Sequence, residues 1–309
     1  MAPIAALPYT VGAYAWNLLN AAALFGAVMW MPSVGARMKT WSLWFVLISL
    51  TSSMQSAQSN GLMAGLMLAG FAARERRHDA VAAVLVVLSA FVKPFGAAAL
   101  LPCLTQPGRR RFLVYAALAA IVMGLAPLVV VSPRQLVFLY QSWLHLLQID
   151  HATKSGSSLY TWLRVWFGFV PPKDLVVAAG GVLLLLPLAR RSLHADGGAR
   201  ILLMASVLIW VVIFNHMAEP PTYVIAVLGV AIWYFSRRPT AANTALIAVT
   251  FFLTCLAATD VYPKAVRLGL ISRFVLRALP CILIWFKLQY DLLTRRPSAP
   301  AAPASSRAS

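Results

Sequence analysis

The sequence predicts an all-α, polytopic membrane protein, and three observations carry that prediction. Hydrophobic residues make up 61% of the 309 residues, charged residues 11%, and mean hydropathy is +0.78. A soluble globule is about 25% charged, so this chain lacks the polar surface that water demands. Apolar runs recur along the whole length, separated by short basic clusters, as in helices that cross a bilayer with their cations held on one side. The excess of 26 Lys and Arg over 8 Asp and Glu therefore reads as loop charge, and it argues against nucleic acid as a partner.

The elements follow in order. A first apolar run spans about Tyr9 to Met31 and ends at Pro32, with Arg37 and Lys39 beyond. A second, Trp41 to Ser53, falls short of the ~20 residues a bilayer requires. A polar knot from Thr51 to Asn60 leads into the run Gly61 to Ala73, which Arg74, Arg76 and Arg77 close. The stretch Ala80 to Leu104 is interrupted by Lys93-Pro94 and followed by Arg109, Arg110 and Arg111. Proline inside a helix removes a backbone donor and clashes with the preceding turn. Basic clusters on both flanks belong on one side of the membrane. The stretch is therefore predicted as two half-length helices hinged at Lys93-Pro94.

Phe112 to Val131 reads as a full-length span. The longest non-spanning segment, Ser132 to Lys173, holds Trp143, Trp162 and Trp166. Within it Leu136, Leu139, Tyr140, Trp143 and Leu147 repeat at helical spacing, which predicts an amphipathic helix over Gln135 to Ile149 lying in the interface. Later spans are predicted at Leu175 to Leu188, Ile201 to Phe214, Tyr223 to Phe235, Thr244 to Ala257 and Phe274 to Leu292. The whole makes a bundle of about ten or eleven transmembrane or half-length helices. A Pro-, Ala- and Ser-rich stretch from Arg295 to Ser309 predicts disorder. The chain thus divides into a membrane domain over 1–294, with its external segment at 132–173, and a tail over 295–309.

Sixteen of the 26 Lys and Arg fall in alternate loops, which places the C-terminus in the cytoplasm. Counting back through about eleven crossings puts Met1 outside. The start lacks the basic region of a cleavable signal. Cys103, Cys255 and Cys281 lie far apart inside apolar runs and predict neither a disulfide nor a zinc site. No HExxH, GxGxxG, P-loop or paired-cysteine spacing occurs, so neither a metal nor a nucleotide cofactor is expected.

Ionisable groups against the apolar phase are costly and carry the functional signal. Lys93 at the hinge either snorkels to the interface or meets an anionic group such as a phosphate at the membrane surface. His216 and Glu219 lie in the turn from Asn215 to Tyr223, which Pro220 and Pro221 stiffen. They suit acid/base work or orientation of a sugar hydroxyl, unless the turn is merely polar. Gln55, Gln58 and Asn60 are amides that donate and accept at once, fitted either to sugar hydroxyls or to capping a helix. Asp150, Asp260 and, as the N-cap of the next span, Asp174 complete the external carboxylates. Glu75, Asp79, Asp196 and Asp291 read as loop charges or helix-end partners.

These residues resemble glycosyltransferase family 87, membrane enzymes of the GT-C superfamily related to polyprenyl-phosphate-mannose-dependent mannosyltransferases. The resemblance rests on Ala57-Gln58-Ser59-Asn60-Gly61-Leu62, where Ala57 stands for the family's Gly, on the basic loop that follows, and on Lys93-Pro94. Trp143, the stretch Ser157 to Tyr160, and His216 with Glu219 to Tyr223 are similar to later family segments. The resemblance implies a sugar moved from a polyprenyl-phosphate donor to a lipid or glycan acceptor at the external face of the plasma membrane. It implies Lys93 on the donor phosphate, Gln58, Asn60, Trp143 and Tyr223 around the sugar or acceptor, and His216 and Glu219 at the reacting centre. Ala6 to Tyr9 looks like the start of the family's second span, so the family's catalytic Asp has no matching position. The expectation is that the coding segment extends upstream of Met1. A multi-pass transporter or lipid flippase is the alternative, disfavoured because the broken span has no counterpart in the second half.

Overall fold

The computed structural model describes residues 4, 6–32, 34–153, 155–190 and 194–294. Helices dominate and no strand occurs among the described residues. Three helices are long and apolar enough to cross a membrane, Tyr9–Trp30, Arg109–Val129 and Ala241–Ala258, and four apolar helices are shorter, Asp79–Val92, Pro94–Leu104, Gly197–Ile213 and Pro220–Phe235. This is an all-α membrane protein. The predicted tail over 295–309 lies outside the described residues.

The helices run α1 Tyr9–Trp30, α2 Ala36–Gln55, α3 Asn60–Glu75, α4 Asp79–Val92, α5 Leu100–Leu104, α6 Arg109–Leu125, α7 Pro133–Thr153 and α8 Leu159–Phe167. They continue with α9 Lys173–Leu185, α10 Gly197–Ile213, α11 Tyr223–Phe235, α12 Ala241–Thr250 and α13 Leu279–Thr294. The core sits around α3, α10 and α11, which are buried over most of their lengths. In lipid the tails are as apolar as leucine, so close packing rather than water exclusion draws helices together. The sequence of α3 is built for that, with Gly61 and Gly65 one turn apart. A Cβ on Gly65 would lie 2.5 Å from the Ala23 carbonyl carbon and oxygen, so α1 approaches α3 at a distance only glycine permits.

The hinge forms as predicted. α4 stops at Val92, Lys93 adopts extended φ −148° and ψ 132°, and Pro94–Ala99 continues as a 3-10 turn into α5. Both ends of this hinged stretch meet at one end of the bundle. Asp79 at the start of α4 accepts from Arg111 Nε at 2.6 Å and pairs with Arg74, while Arg74 Nη2 donates to the Pro107 carbonyl at 2.6 Å. The same end gathers Arg200 on Glu75 at 2.7 Å, Arg237 on Asp291 at 2.6 Å and Lys39 on the Met29 carbonyl at 2.7 Å. Call it the basic end.

Several boundaries depart from expectation. The second apolar run is no short helix: α2 extends over 20 residues, because good helix formers on its basic flank and the predicted polar knot up to Gln55 both continue the ladder. The last span begins at Leu279 rather than Phe274. Val275, a β-branched residue, sits at φ 54° just ahead of it, and a π-helical stretch Arg267–Ser272 precedes that. Arg74 is no loop cation: it is 0% exposed, because it lies on the inner face of α3 with Asp79 five residues on.

Candidate active site at the Lys93 end

The opposite end of the bundle assembles the polar residues singled out above. Its starting point is the turn between α2 and α3. Ala57 adopts φ 48°, the left-handed region that favours glycine. Its carbonyl accepts from Trp16 Nε1 of α1 at 3.0 Å. The next helix opens at Asn60, and the free backbone N–H of Leu62 is satisfied by Asn20 Oδ1, again from α1, at 2.8 Å. Asn20, 1% exposed, thus does the capping from a distance. Ser59, the N-cap, makes no side-chain cap, and Gln58 and Asn60 are released for other work.

What they do is form a chain of hydrogen bonds. Lys93 Nζ donates to Asn60 Oδ1 at 2.6 Å, Asn60 Nδ2 donates to Gln58 Oε1 at 2.6 Å, and Gln58 Nε2 donates to Glu219 Oε2 at 2.8 Å. Each amide accepts on the side of the cation and donates on the side of the carboxylate, so every bond is aligned with the charge at its end. Asn60 is fully buried, Lys93 and Gln58 half-buried, and Glu219 exposed. The chain therefore starts in the bundle and ends at an open carboxylate. Gln55, the third amide, is exposed and sits in the last turn of α2.

The loop bearing Glu219 is held in place by the segment before α8. Gly156 N donates to the His216 carbonyl at 2.5 Å, and Ser157 N to the Ala218 carbonyl at 2.8 Å. The approach needs glycine, because a Cβ on Gly156 would collide with the backbone of Ala218. Below the loop, Tyr223 is 1% exposed and its hydroxyl donates to the Ser157 carbonyl at 2.7 Å. Tyr223, expected around the sugar or acceptor, is placed as an anchor of the loop.

His216 turns away from the amides. Its ring meets His151 of α7 edge-on, centroids 4.4 Å apart. His151 Nε2 in turn lies 3.3 Å from Asp174 Oδ1, so Asp174 serves that pair, and the N-cap of α9 is Pro172. Burial, helped by the neighbouring His151 and Lys173, pushes the His216 imidazole down to about 4. The ring is neutral at pH 7, and its buried Nε2 has no hydrogen-bond partner among the described residues. One turn thus carries two residues pointing to different neighbours. Of the other candidate bases, Asp260 is engaged by Arg267 at 2.5 Å.

Trp143 lies on an apolar groove of about 750 Å³ between α4, α6 and α7, lined by Phe91, Pro94, Gly124, Leu136, Leu139 and Tyr140 among others. The predicted amphipathic stripe of α7 is therefore one wall of a groove, and Pro94, next to Lys93, is on another. The sequence reading missed His151 as the partner of His216, and Asn20, whose only signal was an amide inside an apolar span. It also missed Arg277, 5% exposed, which donates to the Ala257 carbonyl at 2.6 Å and contacts no carboxylate among the described residues. A cation inside an apolar run was the signal there.

The sequence profile of glycosyltransferase family 87 matches residues 1–259. The chain belongs to glycosyltransferase family 87. No curated protein matches it. Membership makes it a glycosyltransferase with a donor and an acceptor, and the polar chain, the neutral histidine and the groove are the parts from which this family 87 member can build that site. The match stops before Arg277.

Proposed function

We propose that this glycosyltransferase moves a mannose-like sugar from a polyprenyl-phosphate donor to a lipid or glycan acceptor at the external face of the plasma membrane. The reading has the chain crossing many times, with its C-terminus in the cytoplasm. The observation that carries it is the aligned chain Lys93–Asn60–Gln58–Glu219, placed beside an apolar groove.

An ammonium has three N–H donors, and Lys93 gives one to Asn60, leaving two for a phosphate. A donor whose isoprenoid tail lies along Trp143 and Pro94 brings its phosphate to that hinge. Gln58 offers its amide edge to the sugar hydroxyls, and Asn60, buried between Lys93 and Gln58, holds the two in line. The acceptor oxygen attacks the anomeric carbon, the bond from that carbon to the phosphate oxygen breaks, and Lys93 holds the departing charge. Glu219 takes the acceptor's proton, and its exposure suits it to meet an acceptor arriving from outside. His216, neutral, orients a hydroxyl without adding charge. The positive-inside bias supports the sidedness, since the basic end faces the cytoplasm. On the other side nucleotide sugars are absent, and a lipid-borne donor is the available source.

The test uses membranes containing the full chain, supplied in parallel with a labelled polyprenyl-phosphate sugar and the matching nucleotide sugar. Label is expected to leave the lipid donor only. Transfer from the nucleotide sugar alone would contradict the donor, and vesicle uptake without transfer would favour a transporter.

A further inference from the structure

A second groove, of about 910 Å³, opens at the basic end between α2, α11 and α12. Arg37 and Arg237 stand at its mouth, and Trp41, Trp44, Phe251 and Phe252 line it. Elsewhere at this end buried Arg74 closes on Asp79 and half-buried Arg200 on Glu75. Arg37 is exposed and meets no carboxylate among the described residues. Arg237 spends Nη1 on Asp291, but its Nε is buried with no hydrogen-bond partner among the described residues.

The walls below the mouth are aromatic and open. Trp41 is 51% exposed, Trp44 64% and Phe252 52%, while Trp41 also stacks on Phe235 with centroids 6.4 Å apart. Trp44 is seven residues beyond Arg37 on the same helix, which sets it about 10 Å deeper at 1.5 Å per residue. A cationic mouth above an apolar, aromatic slot matches a phosphate followed by a glycerol backbone and an acyl chain. Tryptophans at this depth favour the headgroup boundary.

We infer that this groove is a binding site for one anionic glycerophospholipid, with its phosphate between Arg37 and Arg237 and an acyl chain between Trp44 and Phe252. A zwitterionic headgroup would bring its own cation against two guanidiniums, so the anionic lipid is preferred. The site is independent of sugar transfer, being at the end opposite Glu219.

Native mass spectrometry of the full chain in detergent tests this, with phosphatidylglycerol, phosphatidylcholine and inorganic phosphate as probes. One phosphatidylglycerol is expected to remain bound in preference to phosphatidylcholine, and inorganic phosphate is expected not to displace it. Removing one surface cation weakens anionic-lipid binding about fivefold, so Arg37→Gln should do so. Trp44→Ala, at an open position that leaves folding intact, should weaken retention as well, and Arg110→Gln, at the same end outside the groove, should not. Equal retention of both lipids, retention unchanged by Arg37→Gln, displacement by phosphate alone, or a lipid-free dimer covering this face would each overturn the proposal. Melting curves of every variant confirm that a loss reflects the site.

Discussion

The two ends of the bundle treat charge in opposite ways. At the basic end Arg74, Arg111, Arg200 and Arg237 close on Asp79, Glu75 and Asp291. At the other, the Lys93 ammonium reaches no carboxylate directly among the described residues. It is joined to Glu219 through two amides, and that carboxylate is exposed. The buried pairs Arg74–Asp79 and Arg200–Glu75 hold helices together and have little left to offer a ligand. An open-ended chain keeps donors at one terminus and an acceptor at the other. The difference separates charges that build the protein from the charges proposed to meet substrate.

The comparison makes unequal demands on stability and activity. Asp79→Asn leaves the Arg74 guanidinium buried without its counter-charge, and breaking a buried pair costs about 3–5 kcal/mol. Thermal melting in detergent should show the largest drop of any variant here, with transfer per folded molecule retained. Glu219→Gln does the reverse. The amide still accepts from Gln58, so melting should hold, while loss of the proton acceptor should lower transfer about 100-fold or more, read from initial rates. If Glu219→Gln instead unfolds the protein at full specific activity, the two ends are alike and the contrast fails.

Smaller effects sharpen the picture around the loop. Gly156→Ala forces a Cβ onto Ala218 and should cost about 1–3 kcal/mol, as overpacking typically does. It should also slow transfer by displacing Glu219, and limited proteolysis at residues 215–222 would report the displacement. The His216 imidazole, depressed to about 4 against an unfolded value near 6.5, gives a pH effect of definite sign. Between those values the unfolded chain binds more protons, so this contribution is complete above about pH 6.5 and is lost as pH falls toward 4. Melting temperature should therefore decline more gently in His216→Gln than in the parent as pH drops from 7 to 5.

Much of this was readable from residues alone, for identifiable reasons. The Lys93-Pro94 break was legible because proline's missing N–H is a local property. Tyr223–Phe235 matched to the residue because prolines start it and a basic loop ends it. The length of α2 was not, since its flanks are polar and hydropathy sees only the part in lipid. The start of α13 was hidden by a backbone irregularity at Val275 that no side-chain pattern announces. At the site, the amide cluster stood out as a local group. Its partners did not: Lys93 is 33 residues from Asn60, and Glu219 is 161 from Gln58. Likewise Arg74 and Arg76 look equivalent in sequence, and only the facing of α3 buries the first.

The most direct measurement is the rate of sugar transfer from a labelled polyprenyl-phosphate donor by Lys93→Ala, normalised to folded protein by melting. The expected result is a loss of about 100-fold or more, the scale seen when one donor to a developing negative charge is removed, with partial return in Lys93→Arg. A Lys93→Ala protein that transfers at the parental rate would contradict the assignment of this end as the active site.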